Sequence, residues 1–370
     1  MKVGCPTEIK PQEDRVGLTP ESAAELIRAG HEVFIQSGAG LGVGADDERY
    51  RRVGARIVAD GAAVFEAAAL IVKVKEPQPE EIARLTPAHT LFAYLHLAPD
   101  PAQAHALMKA GVTAIAYETV TDGEGHLPLL RPMSEVAGRM AIHVGANFLE
   151  KSHGGRGVLL GGVPGVRPAD VVILGAGIAG YNAAQIAVGM RARVTVFDKN
   201  VARLEELDRE FNGRLETIYS TRAAVEEAVR EADLVIGAVL IPGDAAPKLV
   251  TRAMLKTMRP GAVLVDISID QGGCFETSRP TTHDKPVYEV DGVLHYCVAN
   301  MPGAVARTSA FALNNVTLPF TLALANKGAR RALQDDPHLA AGLNVHAGAI
   351  AHEAVARALD LPCRRPDWLG

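Results

Sequence analysis

A glycine-rich turn between two apolar runs near the middle of the chain constrains its fold most strongly. Apolar residues 171–174 precede Gly175, Gly177 and Gly180, and a second apolar run ends in Asp198. In a strand–turn–helix unit these glycines allow the tight turn, the close approach of a pyrophosphate, and helix–strand packing. The acid accepts hydrogen bonds from a ribose diol and repels a 2′-phosphate. The pattern therefore predicts a Rossmann-type unit that binds NAD, with a purely structural glycine turn as the weaker alternative.

The composition is typical of a soluble α/β enzyme with two domains. The chain has 370 residues, of which 48% are hydrophobic and only 5% aromatic, and this length exceeds one ordinary core. The net charge of −5 and the absence of a Lys/Arg block argue against a nucleic-acid partner. The apolar segment 313–324 is too short and too interrupted to span a membrane. With no signal-like start, we expect a cytoplasmic protein without a membrane partner.

Cysteine usage predicts neither a metal site nor a disulfide framework. The four cysteines, Cys5, Cys274, Cys297 and Cys363, are scattered and lack the spacing of metal ligands. We expect reduced thiols and no bound metal, although the sequence alone leaves a disulfide bridge open.

The order of strand and helix signals predicts parallel sheets. The first third of the chain alternates strand-like segments with helical ones such as residues 20–30, for which Thr19 is the candidate N-cap. From Gly303 onward we predict helices to the end of the chain, including one over residues 344–359. The other predicted elements are strands at 31–36, 70–75, 90–96, 112–117, 193–197, 217–219, 234–238, 262–267 and 295–298, and a helix at 134–152.

The central position of the nucleotide-binding pattern predicts a discontinuous partner domain. The fold class that we predict is α/β, with two Rossmann-like domains built on parallel sheets. The NAD-binding domain, residues 129–304, would be inserted into a substrate domain formed by residues 1–128 and 305–370. Closure of the two domains would then assemble the active site.

Four polar residues are candidates for chemistry. Lys75, His96 and Asp270 follow predicted strands, where ligands gather in parallel sheets, and Arg15 lies in the loop before the first helix. Each has a structural alternative: a solvent-facing strand end, a histidine at the edge of a core, a turn residue and a surface arginine, respectively. Together they are the set that an amino-acid oxidation needs. A cationic pair holds a carboxylate, an imidazole transfers a proton, and a carboxylate prepares water.

Several motifs, in order along essentially the whole chain, resemble the alanine dehydrogenase and transhydrogenase family. They occupy residues 4–20, 73–77, 95–96, 266–273 and 298–304. The resemblance is strongest to members that catalyse the reversible, NAD-dependent oxidative deamination of L-alanine to pyruvate and ammonium. It implies that Arg15 and Lys75 bind the substrate carboxylate, that His96 and Asp270 are catalytic, and that the protein forms a homohexamer.

The same resemblance implies a set of cofactor-binding residues beyond the glycine turn. Arg203 is one of them, although the neighbouring Lys199 could supply the cation near the adenosine instead. With the turn and its acid, the set is Ser134, Gly175, Gly177, Ile178, Ala179, Gly180, Asp198, Arg203, Ser220, Val239, Leu240, Ile267, Ser268, Ile269, Asp270, Arg279, Val298, Ala299, Asn300 and Met301.

Other functions remain as alternatives. The nearest is the NAD-binding soluble component of a proton-translocating transhydrogenase, which shares the two-domain plan but does not oxidise an amino acid. The joint presence of Lys75, His96 and Asp270 argues against it. Weaker alternatives are a saccharopine dehydrogenase-like enzyme and a non-catalytic NAD sensor. The sequence leaves open how strictly alanine is preferred to serine, glycine or 2-aminobutyrate, because a pocket discriminates one methylene by only about 1–3 kcal/mol.

Overall fold

The protein is described by a computed structural model over residues 1–239 and 246–369. The strands of these residues are β1 Lys2–Cys5, β2 Glu32–Gln36, β3 Arg56–Val58, β4 Leu70–Val72, β5 Thr90–Ala93, β6 Thr113–Ala116, β7 Asp170–Leu174, β8 Arg193–Asp198, β9 Glu216–Tyr219, β10 Leu234–Gly237, β11 Val263–Asp266, β12 Val287–Val290, β13 Val293–Tyr296, β14 Leu343–His346 and β15 Ala349–Ile350.

The α-helices alternate with these strands over most of the chain. They are α1 Pro20–Arg28, α2 Asp47–Arg52, α3 Gly61–Ala67, α4 Pro79–Ile82, α5 Pro101–Ala110, α6 Arg131–Phe148, α7 Ile178–Gly189, α8 Val201–Phe211, α9 Arg222–Glu231, α10 Arg252–Leu255, α11 Ala306–Asp335, α12 Pro337–Ala340 and α13 Glu353–Ala358. Helix α11 is interrupted at Gly328, whose φ is 74°. No helix among the described residues has the length and apolar character needed to cross a membrane.

The chain divides into two compact units, and the first is discontinuous. The first unit comprises Met1–Met133 and Val305–Gly370, and the second comprises Ser134–Ala304. The first boundary therefore falls within α6. Each unit is built on its own sheet, one of eight strands and one of seven.

The sheet of the first unit has the order β15-β14-β6-β5-β4-β1-β2-β3. Strands β1 to β6 pair in parallel, and their short apolar runs are buried on both faces, as in β4, where every residue is buried. Helix α1 begins as its sequence predicts, since Thr19 accepts a hydrogen bond from the Ser22 amide at 3.3 Å and Pro20 occupies the first turn.

The sheet of the second unit has the order β12-β13-β11-β10-β7-β8-β9. In chain order its six parallel strands are β7, β8, β9, β10, β11 and β13. Read across the sheet from β9, they lie in the order third, second, first, fourth, fifth and sixth, which is the order of the dinucleotide-binding fold. Strand order reverses between β7 and β10, where parallel sheets open a crevice for ligands. The predicted fold class, two Rossmann-like units with one inserted into the other, is confirmed.

The expectation that the chain is helical from Gly303 to its end is wrong. Strands β14 and β15 form a hairpin, and β14 pairs antiparallel with β6. The hairpin turns at Ala347 and Gly348, whose φ values of 47° and 83° suit a tight two-residue turn. The helix predicted over 344–359 is limited to α13. With β12 also antiparallel to its neighbour, neither sheet is wholly parallel.

Candidate active site

The carboxyl ends of four adjacent parallel strands form one edge of the first sheet. In spatial order the strands are β6, β5, β4 and β1. Glu118 follows β6, His96 follows β5, Lys75 follows β4, and the loop that carries Arg15 follows β1. The predicted strands over 70–75 and 90–96 end three residues early, at Val72 and Ala93. Lys75 and His96 therefore lie in turns beyond the sheet.

Arg15 is buried against an acid of its own loop. Its side chain is 2% exposed, and Nε and Nη2 donate to the two Glu13 carboxylate oxygens at 2.6 and 2.5 Å. The Arg15 amide also donates to Glu13, and Nη1 lies 3.1 Å from Sδ of Met133. Burial alone would lower the pKa of the guanidinium, but pairing with Glu13 raises that pKa above its usual value. The pair fixes the plane of the arginine fork.

A buried cluster of charges supports Lys75. Glu8 accepts hydrogen bonds from the amides of Val74 at 2.7 Å and Lys75 at 3.3 Å. Lys73 is wholly buried and pairs with Glu8 at 3.1 Å and with Glu81 at 2.7 Å. Burial alone would lower the pKa of the Lys73 ammonium, but these two carboxylates raise it above its usual value. Lys73 therefore belongs to the packing of this edge, whereas Lys75 is only half-buried.

His96 has a backbone conformation that is uncommon outside glycine. Its φ is 48°, in the left-handed region that costs an ordinary residue about 1–2 kcal/mol. Glu118 accepts hydrogen bonds from the amides of Leu95 and His96. The imidazole stacks on the ring of Tyr94, with centroids 5.7 Å apart and an angle of 9° between the planes. The turn that carries the histidine is thus held at successive residues.

Electrostatic interactions with nearby residues link the three candidates of the first unit. Burial alone would raise the pKa of the Glu76 carboxyl, but Lys75, Lys10 and His96 lower it below its usual value. Lys75 and His96 thus both act on one carboxylate. Tyr94 is the stacking partner of His96, and burial raises the pKa of the Tyr94 phenol above its usual value. The positive charge of Arg15 opposes that rise, so Arg15 lies near Tyr94.

In the second unit, the glycine turn has the close contacts that its pattern requires. A Cβ atom at Gly180 would lie 1.8 Å from the carbonyl oxygen of Gly175, and one at Gly175 would lie 2.7 Å from that of Ala238. A Cβ atom at Gly177, by contrast, would meet nothing within 4 Å. Gly177 is the N-cap of α7, so the open space lies over the amides of a helix N-terminus, where phosphates bind.

Asp198 and Arg203 both hold the glycine turn. The Asp198 carboxylate accepts hydrogen bonds from the amides of Ala176 at 2.7 Å and Asn200 at 2.8 Å. Nε of Arg203 donates to the carbonyl oxygen of Ala176 at 2.9 Å, and its guanidinium lies over the ring of Tyr181. Arg203, rather than the exposed Lys199, is therefore the cation placed against the turn.

Asp270 lies in a short turn that another carboxylate closes. The 3-10 helix Ile267–Gln271 follows β11 and leaves Asp270 exposed. The fully buried Asp266 accepts hydrogen bonds from the amide of Ser268 at 3.1 Å, before Asp270, and from that of Cys274 at 2.9 Å, after it. The hydroxyl of Ser278 also donates to Asp266. Burial raises the pKa of this carboxyl above its usual value in spite of these donors.

The remaining cofactor candidates lie mainly at the carboxyl ends of strands in the second unit. Ser220 donates its amide to the carbonyl of Asp198, and the carbonyl of Val239 accepts from the Ser268 hydroxyl at 2.7 Å. Arg279 is exposed, with its guanidinium 3.9 Å from the ring centre of Tyr288. Ser134 lies in α6, Ile178 and Ala179 begin α7, Ile267 and Ile269 flank Ser268, and Val298, Ala299, Asn300 and Met301 follow β13. Leu240 lies outside the described residues.

Four acids that support the candidates were not predicted from the sequence. Glu8, Glu13, Glu118 and Asp266 each bind backbone amides or a cation beside a candidate residue. Glu13 and Asp266 lie within four residues of Arg15 and Asp270, so they could have been suspected. Glu118 becomes a neighbour of His96 only through the pairing of β5 with β6.

The four cysteines carry free thiols, as expected. Burial raises the pKa of the Cys5 and Cys274 thiols to about 12 and that of Cys297 to about 11, so these groups stay protonated and unreactive near neutral pH. Over residues 1–239 and 246–369, no group of three or more His, Cys, Asp or Glu side chains could hold a metal ion.

Comparison with known proteins identifies the family. The family profile "Alanine dehydrogenase/PNT, N-terminal domain" matches residues 4–137, and "Alanine dehydrogenase/PNT, C-terminal domain" matches residues 141–353. The chain belongs to the alanine dehydrogenase/PNT family. The resemblance found in its motifs is therefore confirmed.

Individual relatives within the family differ in their similarity to the chain. Alanine dehydrogenase of Halomonas elongata is 60% identical over 361 residues, covering 98% of this chain and 97% of the relative. A solved L-alanine dehydrogenase has a TM-score of 0.95 at 52% identity, covering 97% of this chain and 99% of its own. A solved transhydrogenase from Sinorhizobium meliloti has a TM-score of 0.81 at 27% identity, covering 96% and 100%. The similarity to proteins named as alanine dehydrogenases is thus clearly the greater.

Proposed function

We propose that the protein catalyses the reversible, NAD-dependent oxidative deamination of L-alanine to pyruvate and ammonium. The observation that carries the proposal is the set Arg15, Lys75 and His96 at one edge of the first sheet, which offers cations for a carboxylate beside an imidazole. The first unit would bind the substrate and the second the cofactor, with the domain boundaries predicted above. Relatives named as alanine dehydrogenases over nearly their whole length support this choice of substrate.

The second unit has the features that a nicotinamide dinucleotide requires. The open space at Gly177 over the N-terminus of α7 suits a pyrophosphate. Asp198, at the end of β8, would accept hydrogen bonds from the adenosine ribose and repel a 2′-phosphate, which favours NAD over NADP. A nicotinamide bound in this unit would supply the acceptor for the hydrogen at the substrate Cα.

Arg15 and Lys75 would hold the alanine carboxylate. Two nitrogens of the Arg15 fork are committed to Glu13, while Nη1 lies against the weakly accepting sulfur of Met133. A carboxylate is a much stronger acceptor and would displace that contact. Lys75 would add the second positive charge. Because both cations would hold the carboxylate, the Cα hydrogen would face a fixed direction.

His96 and Asp270 would manage the protons of the hydrolytic step. Oxidation of the amine gives an iminium, and water adds to its carbon to form a carbinolamine. Asp270, exposed at its turn, would orient that water and accept a proton from it. Asp270 would then pass that proton to the carbinolamine nitrogen, and His96 would take the hydroxyl proton as the C–N bond breaks. Ammonia leaves and becomes ammonium by taking up the proton that His96 accepted, while the carbonyl of pyruvate forms. A well-placed acid or base contributes about 100- to 10,000-fold to such a rate.

One absorbance assay tests the proposal. The purified full chain is mixed with L-alanine and NAD at alkaline pH, and formation of NADH is followed, with D-alanine and with NADP as matched controls. Turnover with L-alanine and NAD, and its reversal by pyruvate, ammonium and NADH, is the expected result. Tight NAD binding without turnover would overturn the proposal in favour of a transhydrogenase component or an NAD sensor. Serine, glycine and 2-aminobutyrate in the same assay measure how strictly alanine is preferred.

We further propose a cytoplasmic homohexamer, as the family resemblance implies. Light scattering after size-exclusion chromatography measures the mass directly. Six times the 39.1 kDa of one chain is the expected result, and a stable dimer or monomer would contradict it.

A further inference from the structure

The turn that carries His96 is held by a carboxylate from a neighbouring strand. Glu118 Oε1 accepts from the Leu95 amide at 3.1 Å and from the His96 amide at 2.6 Å, and Oε2 lies 3.2 Å from the Leu95 amide. The second of these amides belongs to His96, whose own backbone is left-handed, with φ of 48°. Successive amides in such a turn form a concave anion site, here filled by a side chain of the same chain.

Other contacts restrain the positions of Tyr94, Leu95 and His96. The Tyr94 hydroxyl donates to the carbonyl of Leu129 at 2.6 Å, and its ring stacks on the imidazole. Nε2 of Gln103 donates to the carbonyl of Leu95 at 2.7 Å. These contacts hold the residues before His96, whereas the His96 amide itself is held by Glu118.

We infer that Glu118 is a positioning residue, which holds the left-handed turn at His96 and thereby aims the imidazole. The inference rests on the proposed function for the role of His96 but not for the geometry. Without the carboxylate, the amides of Leu95 and His96 lose their acceptor. The energy that offsets the unfavourable φ of His96 is then lost, so the turn relaxes and the imidazole changes its orientation. Glu118 itself needs no contact with the substrate.

Two variants separate the hydrogen bonds from the charge. Glu118→Ala removes both acceptors, whereas Glu118→Gln retains an oxygen that can accept from both amides, as Oε1 does now. Asp47→Ala is the matched control, because Asp47 also ties a loop of the first unit, through the Gly38 amide at 2.8 Å and the Ser37 hydroxyl at 2.7 Å. We expect kcat to fall at least about tenfold in Glu118→Ala, with little change in the KM for alanine, and about threefold at most in Glu118→Gln and Asp47→Ala.

A double-variant cycle distinguishes positioning from a general structural role. In a His96→Ala background, Glu118→Ala should change kcat by less than about twofold, since the group that it positions is already absent. An equal fall in both backgrounds would overturn the inference.

Crystal structures of the two Glu118 variants test the geometry without reference to activity. In Glu118→Ala we expect His96 to leave the left-handed region and its ring to unstack from Tyr94, and in Glu118→Gln we expect both to persist. An unchanged His96 in Glu118→Ala would overturn the inference. An inactive parent enzyme would instead overturn the proposed function, and these structures would still decide the role of Glu118.

Discussion

The carboxyl edges of the two sheets, where we propose that substrate and cofactor bind, are built in different ways. The edge of the first sheet is built from charged side chains, among them the buried pairs Arg15–Glu13 and Lys73–Glu8. The edge of the second is built around backbone, with an open helix N-terminus at Gly177. A small carboxylate can be recognised by two cations held in place, whereas a long pyrophosphate needs close approach to main-chain amides. Substitutions should therefore act differently at the two edges.

The largest effect is expected at the buried pair of the first edge. Arg15→Ala leaves the Glu13 carboxylate buried without its cation, so we expect the free energy of unfolding to fall by about 3–5 kcal/mol. The KM for alanine should also rise. Urea unfolding and steady-state kinetics measure the two effects. Arg28→Ala is the control, because Arg28 forms a largely exposed pair with Glu25 and should cost less than about 1 kcal/mol. A KM that does not rise would remove Arg15 as a substrate anchor.

His96→Ala tests whether the edge of the first sheet takes part in catalysis as well as in binding the substrate. We expect kcat for alanine oxidation to fall at least about 100-fold, or about 2.7 kcal/mol, because a positioned acid or base is lost. His105→Ala, at an exposed histidine of α5, should leave kcat unchanged. Activity within about tenfold of the parent in His96→Ala would show that the edge only binds.

The second unit contains its own buried histidine, which should make its stability depend on pH. Burial lowers the pKa of His295 to about 4, and its ring nitrogens bond Thr277 and the carbonyl of Val293. The unfolded chain, with a histidine pKa near 6.5, therefore binds more protons, so stability is lost as pH falls from about 6.5 towards 4. Between pH 7.5 and 5 we expect protonation of His295 in the unfolded chain to lower the free energy of unfolding by about 2 kcal/mol.

Urea unfolding of the parent and of His295→Gln at both pH values measures that contribution. The variant should lose about 2 kcal/mol less than the parent over the same interval. Equal losses would mean that acid sensitivity resides in other groups.

The smallest effect is expected at the backbone edge, and it should separate binding from folding. In Gly177→Ala the new methyl group meets no protein atom within 4 Å and φ is −66°, so the melting temperature should be unchanged. The Kd for NAD, measured by calorimetry, should rise about tenfold, or about 1.4 kcal/mol, because the methyl group obstructs the pyrophosphate. Gly180→Ala is the contrast, since its Cβ would lie 1.8 Å from the Gly175 carbonyl oxygen and must disturb the fold. Unchanged NAD binding in Gly177→Ala would place the phosphates elsewhere.

Local patterns made the backbone edge predictable. The glycines from Gly175 to Gly180 and the acid at Asp198 lie in one strand–helix–strand unit, and the structure joins Asp198 to that same turn. Spacing along the chain therefore carried the information. Thr19 and Pro20 likewise marked the start of α1 correctly, because a helix cap depends on adjacent residues.

Contacts between distant segments were not predictable from the sequence. Glu118 meets the turn at His96, and Glu8 meets the turn at Lys75, only because their strands are neighbours in the sheet. The alanine-rich segment 344–359 has helical composition, yet β14 is a strand because the edge of β6 is available to pair with it.

The hairpin of β14 and β15 has a consequence for folding during synthesis on the ribosome. Strand β6 is complete at Ala116, but its partner β14 begins only at Leu343. The inserted second unit is synthesised in between and can collapse first, because domains generally fold as units during synthesis. Through that interval the nascent chain carries an unpaired strand edge, a template for wrong pairing with other chains. Synthesis of β14 and β15 closes this edge, so the edge of β6 is protected only after the second unit has been made.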